Sequence, residues 1–334
     1  MCKAEIQYPY IVADVGGTNA RFALVSGKNE QDGRFLISHQ RTYPSIEFEA
    51  IEDVVRFYIN SLNGIEIQGA CLAVAGPVVN NQINLTNLNW NFSIDALTRT
   101  LNLSELEVIN DFAAYAFATS HLSPEHFITL NKGEAIATSP IAVVGPGTGF
   151  GVAALAPQNG YFNILPTEGG HMTLAANTPL QADIIATLNK EFEHVSIEKV
   201  LSGPGIMNLY RGLAKVEGID APLLSTAEIV QHALNTTSGN TLCQRTLALF
   251  TAWLGSITGD LALSLGARGG VFLGGGILPR IIDFLLASDF MQQFMDKGPM
   301  KEYLHHTPVH LVTEGNSALL GAASWFESRS SQHE

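Results

Sequence analysis

The chain has little cysteine, and what it has is scattered: Cys2, Cys71 and Cys243 in 334 residues, with no Cys-x-x-Cys pair. That excludes a disulfide framework and a structural zinc site, and it fits a reducing cytoplasm. Basic residues are also few. Eighteen Lys and Arg stand against thirty-one Asp and Glu, a formal net charge of −13. A nucleic-acid surface is thereby disfavoured, because phosphate backbones are bound mainly through Lys and Arg. The first residues, Met-Cys-Lys-Ala-Glu-Ile-Gln, lack the apolar core of a signal peptide. No Gly-Lys-Ser/Thr P-loop occurs anywhere, and the glycines from Gly145 to Gly151 are not at dinucleotide-fingerprint spacing. A P-loop ATPase and a Rossmann dehydrogenase are set aside on that ground. Nor is there a clean membrane run. Leu247 to Leu265 comes nearest, yet it contains Asp260 and several Gly, Ser and Thr, while Phe250, Leu254, Ile257 and Leu261 recur at helical spacing. It reads as a buried core helix, and no membrane partner is expected.

What is present, 46% hydrophobic and 15% charged residues, suits an ordinary globular protein of about two domains with a large core. The sequence is organised around Glu107-Val-Ile-Asn-Asp111-Phe-Ala-Ala-Tyr-Ala116, an apolar run that ends in Asn-Asp and continues in helix-favouring residues. Strand, sharp exit and helix place Asp111 at a strand's C-terminal edge, where open α/β sheets bind ligands. The same position makes Asp111 a natural helix N-cap, which is the plainer reading.

Upstream, Tyr10 to Ala13 reads as a buried strand and Arg21 to Val25 as its partner, joined by Asp14-Val-Gly-Gly-Thr-Asn19. Two readings of that turn stand side by side. It is a plain hairpin, or its glycines let successive N–H groups converge on a phosphate, with Thr18 adding a hydroxyl and Asp14 able to hold a hydrated Mg²⁺. A third strand is expected near Phe35 to Ile37. Ser45 is expected to cap a helix whose apolar stripe is Ile51, Val54, Val55 and Tyr58. A fourth strand, Ala70 to Ala75, ends at Gly76-Pro77. A short segment with Thr86-Asn87 and Trp90 then leads to a helix from about Asp95 to Leu101 and on to the Asp111 stretch. That order is one ribonuclease-H-like half.

The second half opens the same way: strand Pro140 to Val144, a turn from Gly145 to Gly151, and strand Val152 to Leu155. Two such units in one chain suggest a duplicated fold with one phosphate-facing loop per half. Further on, Glu168-Gly-Gly-His171 sets a carboxylate and an imidazole three apart on a glycine loop. They form a hydrogen-bonding pair, or His171 is merely a satisfied loop histidine, or both are metal ligands; no further Cys or His stands nearby at ligand spacing, which disfavours the metal. Glu198, like Glu193, can be a first-turn charge complementing a helix dipole. Leu201-Ser-Gly-Pro-Gly205 reads as a turn before a helix from Ile206 to Leu213. The glycines at 274 to 276 read either as a bed for adenine and ribose or as a structural sheet-to-helix turn. Helices near Ser225 to Leu234, Thr241 to Leu265 and Ile281 to Ala287, a strand Val309 to Val312 and a helix from Ala318 complete the chain.

With these motifs in place, the sequence resembles the bacterial glucokinases of the proteobacterial type, in the actin/hexokinase/Hsp70 ATPase superfamily. The resemblance runs through Asp14-Val-Gly-Gly-Thr-Asn-Ala-Arg21, Ile109-Asn-Asp-Phe112, Gly145-x-Gly-Thr-Gly149, Glu168-Gly-Gly-His171, His194-Val-Ser-x-Glu198 with Leu201-Ser-Gly-Pro-Gly205, and Gly270-Val-Phe-x-x-Gly-Gly276. The Cys-rich zinc motif of the ROK branch is missing. The resemblance implies an α/β fold of two ribonuclease-H-like, actin/hexokinase-type lobes with an active-site cleft between them, residues 1–121 with 314–334 forming the small lobe and 122–313 the large one. It implies ATP- and Mg²⁺-dependent phosphorylation of the glucose 6-hydroxyl by a cytoplasmic homodimer. Asp111 would be the general base, and Asn110, Glu168, His171 and Glu198 the sugar ligands. Nucleotide contacts would come from Ala13, Asp14, Val15, Gly16, Gly17 and Thr18, from Gly147, Thr148 and Gly149, and from Gly275.

Three other readings stay open. A kinase for another hexose would share every motif. A sugar-sensing regulator would carry a helix-turn-helix ahead of the first strand, where only about nine residues are found here. An actin-like filament or chaperone ATPase would have no use for the Glu168, His171 and Glu198 set.

Overall fold

The computed structural model describes residues 7–31, 33–76, 78–85, 88–158, 161–235, 241–313, 315 and 317–332. Residues 1–6 with Cys2, then Pro77 and the Thr86-Asn87 pair, lie outside the described residues. The chain divides into two compact units, residues 1–123 with 314–334 and residues 124–313.

The first unit begins with β1 (Tyr10–Val15), β2 (Asn19–Lys28), β3 (Phe35–Pro44), α1 (Ile51–Ser61) and β4 (Gly69–Val74). A ribbon of β5 (Val78–Val79), β6 (Gln82–Leu85) and β7 (Trp90–Ser93) follows, then α2 (Ile94–Leu101), β8 (Glu105–Asn110) and α3 (Asp111–Thr119). Five strands make one sheet in the order β3-β2-β1-β4-β8. β4 is buried along its length and β1 at every position but Asp14, as expected of strands covered on both faces. The core holds Ile11, Phe22, Tyr58, Leu72 and Trp90, and α1 buries the stripe expected of it, Ile51, Val54, Val55 and Tyr58.

Ser45 does not cap α1. It starts a separate 3₁₀ turn, Ser45–Glu47, and its buried hydroxyl donates to the carbonyl of Gly16 at 2.8 Å. The residue before α1 is Ala50, whose side chain offers no cap bond. The serine was in demand elsewhere.

The second unit runs β9 (Phe127–Asn131), β10 (Ile141–Pro146), β11 (Phe150–Gln158), β12 (Tyr161–Thr167), α4 (Pro179–Leu188), α5 (Gly203–Glu217), α6 (Thr226–Leu234) and α7 (Leu242–Leu265). Then come β13 (Gly270–Leu273), α8 (Ile282–Ala287), α9 (Phe290–Met295), α10 (Lys301–His305) and β14 (Val309–Val312). Its sheet order is β12-β11-β10-β13-β14-β9. In both units an antiparallel hairpin, β1–β2 or β10–β11, is flanked by an antiparallel third strand and followed by two parallel strands, β4–β8 or β13–β14. The duplication is therefore one of topology, with β9 added as an antiparallel edge.

α7 is the centre of the second unit. It is long and apolar enough to cross a membrane, but most of it is buried inside the unit, where Phe250, Trp253 and Leu254 lie in one core with Leu209, Phe290 and Phe294. Each such side chain contributes about 1.5–3 kcal/mol by leaving water. Gly255 and Gly259 let α9 approach: a Cβ on either would stand 2.1 Å and 2.4 Å from the carbonyl oxygens of Phe290 and Phe294.

The chain returns to the first unit for α11 (Ser317–Gln332). It lies so close to α3 that a Cβ on Gly321 would fall 1.7 Å from the carbonyl oxygen of Ala114. Glu327 anchors its far part, taking hydrogen bonds from Tyr8 and Tyr10 and pairing with Lys28.

Candidate active site

In the first unit, parallel pairing aligns three strand ends. Val15, Val74 and Asn110 occupy one row across β1, β4 and β8, so the loops that leave Val15 and Asn110 start from the same sheet edge. The Gly16–Asn19 turn is closed by the N–H of Gly16 on the carbonyl of Asn19 at 2.9 Å, and it is held from outside by Ser45, whose N–H donates to Thr18 at 2.9 Å. A small pocket beside it is lined by Val15, Gly16, Gly17, Ala75, Leu85 and Leu88.

At the other loop the cap expected of Asp111 belongs to Asn110. Oδ1 of Asn110 accepts from the N–H groups of Phe112 at 3.0 Å and Ala113 at 3.1 Å, while its Nδ2 donates to the carbonyl of Gly76 at 3.3 Å. Asp111 becomes the first residue of α3, its Oδ1 accepting from the N–H of Phe112 at 2.7 Å. One Asx residue earlier satisfies the helix end, which releases the second oxygen of Asp111 for other work.

Asp111 is partly buried, and its carboxyl is raised to about 6, first by burial and then by the neighbouring Asp14 carboxylate, against the pull of nearby N–H donors. Asp14 is itself raised by burial, partly offset by Arg21 at 3.6 Å. Two carboxylates sharing one poorly solvated edge is the arrangement expected of a functional acid or base.

In the second unit β10 and β11 are joined by the turn Gly147–Gly149, closed by the N–H of Gly147 on the carbonyl of Gly149 at 2.8 Å. The extended glycine turn expected from 145 to 151 is therefore shorter, since Gly145 and Gly151 pair within the ladder. Phe150 is the hub. Its N–H donates to Oε2 of Glu198 at 2.8 Å, and a Cβ on Gly170 would stand 2.2 Å from its carbonyl oxygen. Through that one residue the structure brings together the Gly147–Gly149 turn, Glu198 and the Glu168–His171 turn.

Glu168 and His171 project into solvent, their side chains 82% and 64% exposed and 3.9 Å apart. Glu198 lies in the 3₁₀ turn Ile197–Lys199, not in the first turn of a helix. α5 starts at Gly203, with Ser202 as cap and donor to the carbonyl of Glu198 at 2.7 Å, so the expected turn before Ile206 is already helix. The N–H of Gly203 donates to the carbonyl of Gly147 at 2.8 Å. Gly275, at φ +85, holds the chain against β10, where a Cβ would stand 2.3 Å from the carbonyl oxygen of Pro146.

Ser45, Gly76 and Phe150 support the site in roles the sequence did not reveal. The last two act through backbone groups, which leave no mark on residue type.

Among the described residues no group of three or more His, Cys, Asp and Glu side chains is arranged to hold a metal ion.

Two copies of one ribonuclease-H-like sheet, with glycine turns at the strand edges and a carboxylate at a helix start, define the actin/hexokinase-type ATPase fold. Structural likeness agrees: a ROK family glucokinase from Streptomyces griseus, solved with glucose and AMPPNP, shares the fold at a TM-score of 0.63 and 18% identity, over 95% of this chain and 98% of that one. A glucokinase from an Antarctic psychrotroph matches at a TM-score of 0.88 and 45% identity, over 97% of this chain and 100% of that one. The glucokinase of Saccharophagus degradans is 42% identical over 320 residues, 96% of this chain and 98% of its own. The family profile described as glucokinase spans residues 11–329. The chain belongs to the glucokinase family.

Proposed function

We propose that the chain transfers the γ-phosphoryl group of ATP to the 6-hydroxyl of glucose, with Asp111 as general base. The observation that carries this reading is the Asp111 carboxylate, held at the head of α3 by Asn110 and raised to about 6. A base tuned toward neutral pH is ionised when the hydroxyl arrives and still basic enough to take its proton. Phosphoryl transfer asks the protein mainly for positioning and charge neutralisation. Glu168, His171 and Glu198 bind sugar hydroxyls, and Asn110 joins them only through what its capping bonds leave free. The segment Ala13 to Thr18, from the end of β1 into its turn, and the turn Gly147 to Gly149 hold the phosphates, and Gly275 shapes the nucleotide bed.

Asp14 suits a hydrated Mg²⁺: it is an oxygen donor in a poorly solvated place, beside a second carboxylate, with Arg21 at 3.6 Å. Bound there, the cation would neutralise phosphate charge. The assembly proposed is a cytoplasmic homodimer; Cys71 and Cys243, both buried and unbridged, support the reducing compartment, and light scattering reads the mass.

A coupled ADP-release assay over a hexose panel with ATP and Mg²⁺, run beside Asp111→Asn, tests the reading. Glucose-dependent ADP release that the variant loses is expected. Release with no hexose, or a folded variant with normal kcat, overturns it.

A further inference from the structure

Residues 172–177 follow the Glu168–His171 turn directly, and 195–197 lead directly into Glu198. The two segments are laced together: the N–H of Ile197 donates to the carbonyl of Met172 at 2.9 Å, that of Leu174 to Val195 at 3.0 Å, and Thr173 bridges Ser196. Whatever fixes 172–177 therefore sets the spacing between the Glu168–His171 turn and Glu198.

α7 fixes it from the other side. Buried Trp253 donates its indole N–H to the carbonyl of Ala175 at 2.8 Å, and Nδ2 of Asn177 donates to Oγ of Ser256 at 2.6 Å. The same oxygen accepts from Nζ of Lys297 at 2.9 Å, whose ammonium also pairs with Asp260 at 2.8 Å. Lys297 is only 12% exposed and Ser256 2% exposed. Gly259 makes room for the lysine stem, because a Cβ there would stand 3.0 Å from Lys297 Cε. A largely buried ammonium is costly unless it is spent on partners. Here one of the two is a serine that already holds Asn177, and the reaction uses none of the three.

We propose that Lys297, Ser256 and Asn177 form a positioning relay for sugar recognition, holding 172–177 against α7 so that Glu168, His171 and Glu198 keep the mutual spacing that hydroxyl binding needs. The relay rests on the assignment of those three side chains to the sugar. Its loss loosens the segment and weakens ground-state and transition-state binding alike, so KM rises while kcat holds.

The experiment is steady-state kinetics and amide hydrogen exchange on the full chain for Asn177→Ala, Lys297→Met, their double variant and Glu168→Gln. Asn177 is exposed, so Asn177→Ala carries the test even if Lys297→Met fails to fold. Expected are faster exchange at Leu174 and Ile197, a KM for glucose raised about tenfold, roughly the worth of one hydrogen bond, and near-normal kcat. The double variant should be no worse than the worse single one, because both side chains act through one serine oxygen. Normal KM in the two relay variants beside a raised KM in Glu168→Gln overturns the relay alone. Normal KM in Glu168→Gln overturns the sugar assignment and the relay with it. A fall in kcat with KM unchanged, or additive effects in the double variant, also overturns the relay.

Discussion

The carboxylate of Asp14 raises that of its neighbour Asp111, adding to the larger effect of burial and bringing it to about 6. The two acids stand at the same edge of the sheet, on β1 and after β8 with β4 between them, and Arg21 lies beside Asp14.

The first consequence is kinetic. A general base must be unprotonated, so kcat/KM for glucose should fall as pH drops through about 6, one decade per unit below it. Arg21→Gln removes the cation that favours ionised Asp14, and a pH profile of that variant should show the limb displaced.

Stability should run the other way. The folded pKa of Asp111 lies above its unfolded value, so the folded state binds the extra proton, and stability falls as pH rises from about 4 to about 6. Above that window the ionised carboxylate is a standing cost of about 2–3 kcal/mol. Asp111→Asn keeps the hydrogen bond from Phe112 and removes the charge, so chemical denaturation at pH 7.5 should show a more stable protein that has lost about 10²–10⁴ in kcat.

Glu168 and His171 are so exposed that replacing them should shift stability by no more than about 0.5 kcal/mol. Glu168→Gln and His171→Ala should melt like the parent and differ from it in KM for glucose. Thermal melts recorded beside sugar kinetics check this, and a large loss of stability would contradict the exposed geometry.

Glycines 275 and 276 should part company. Gly275→Ala forces a side chain onto a φ of +85 and against the carbonyl oxygen of Pro146, costing about 2–4 kcal/mol. A Cβ on Gly276 meets nothing within 4 Å, so Gly276→Ala should fold normally and raise KM for ATP severalfold if a nucleotide lies over it. Unfolding midpoints and ATP titrations separate the two effects.

Much of this architecture could be read from residue types because its strands are unbroken apolar runs. Tyr10 to Ala13 and Pro140 to Val144, each leading into a glycine turn, announced both hairpins and hence the duplication. Elements without that contrast stayed silent. β6 offers only Gln-Ile-Asn-Leu, β12 carries Asn163 and Pro166, and α9 and α10 are short and lack side-chain caps. The site divides the same way. Asp111 was legible from a strand meeting a helix, but which of two adjacent Asx residues caps that helix depends on a φ/ψ choice at Asn110 that neither residue type dictates. That Glu198 takes the N–H of Phe150 depends on chain folded back across 48 positions.

α11 completes the first unit late in the order of synthesis. Synthesis delivers β1 to α3 before residues 124–313, but the helix that covers α3 and supplies Glu327 to Tyr8 and Tyr10 emerges only after them. The inserted residues 124–313 are complete before it. The unit whose strands precede residues 124–313 is therefore completed only after them, and until then its apolar helix-facing surface waits uncovered.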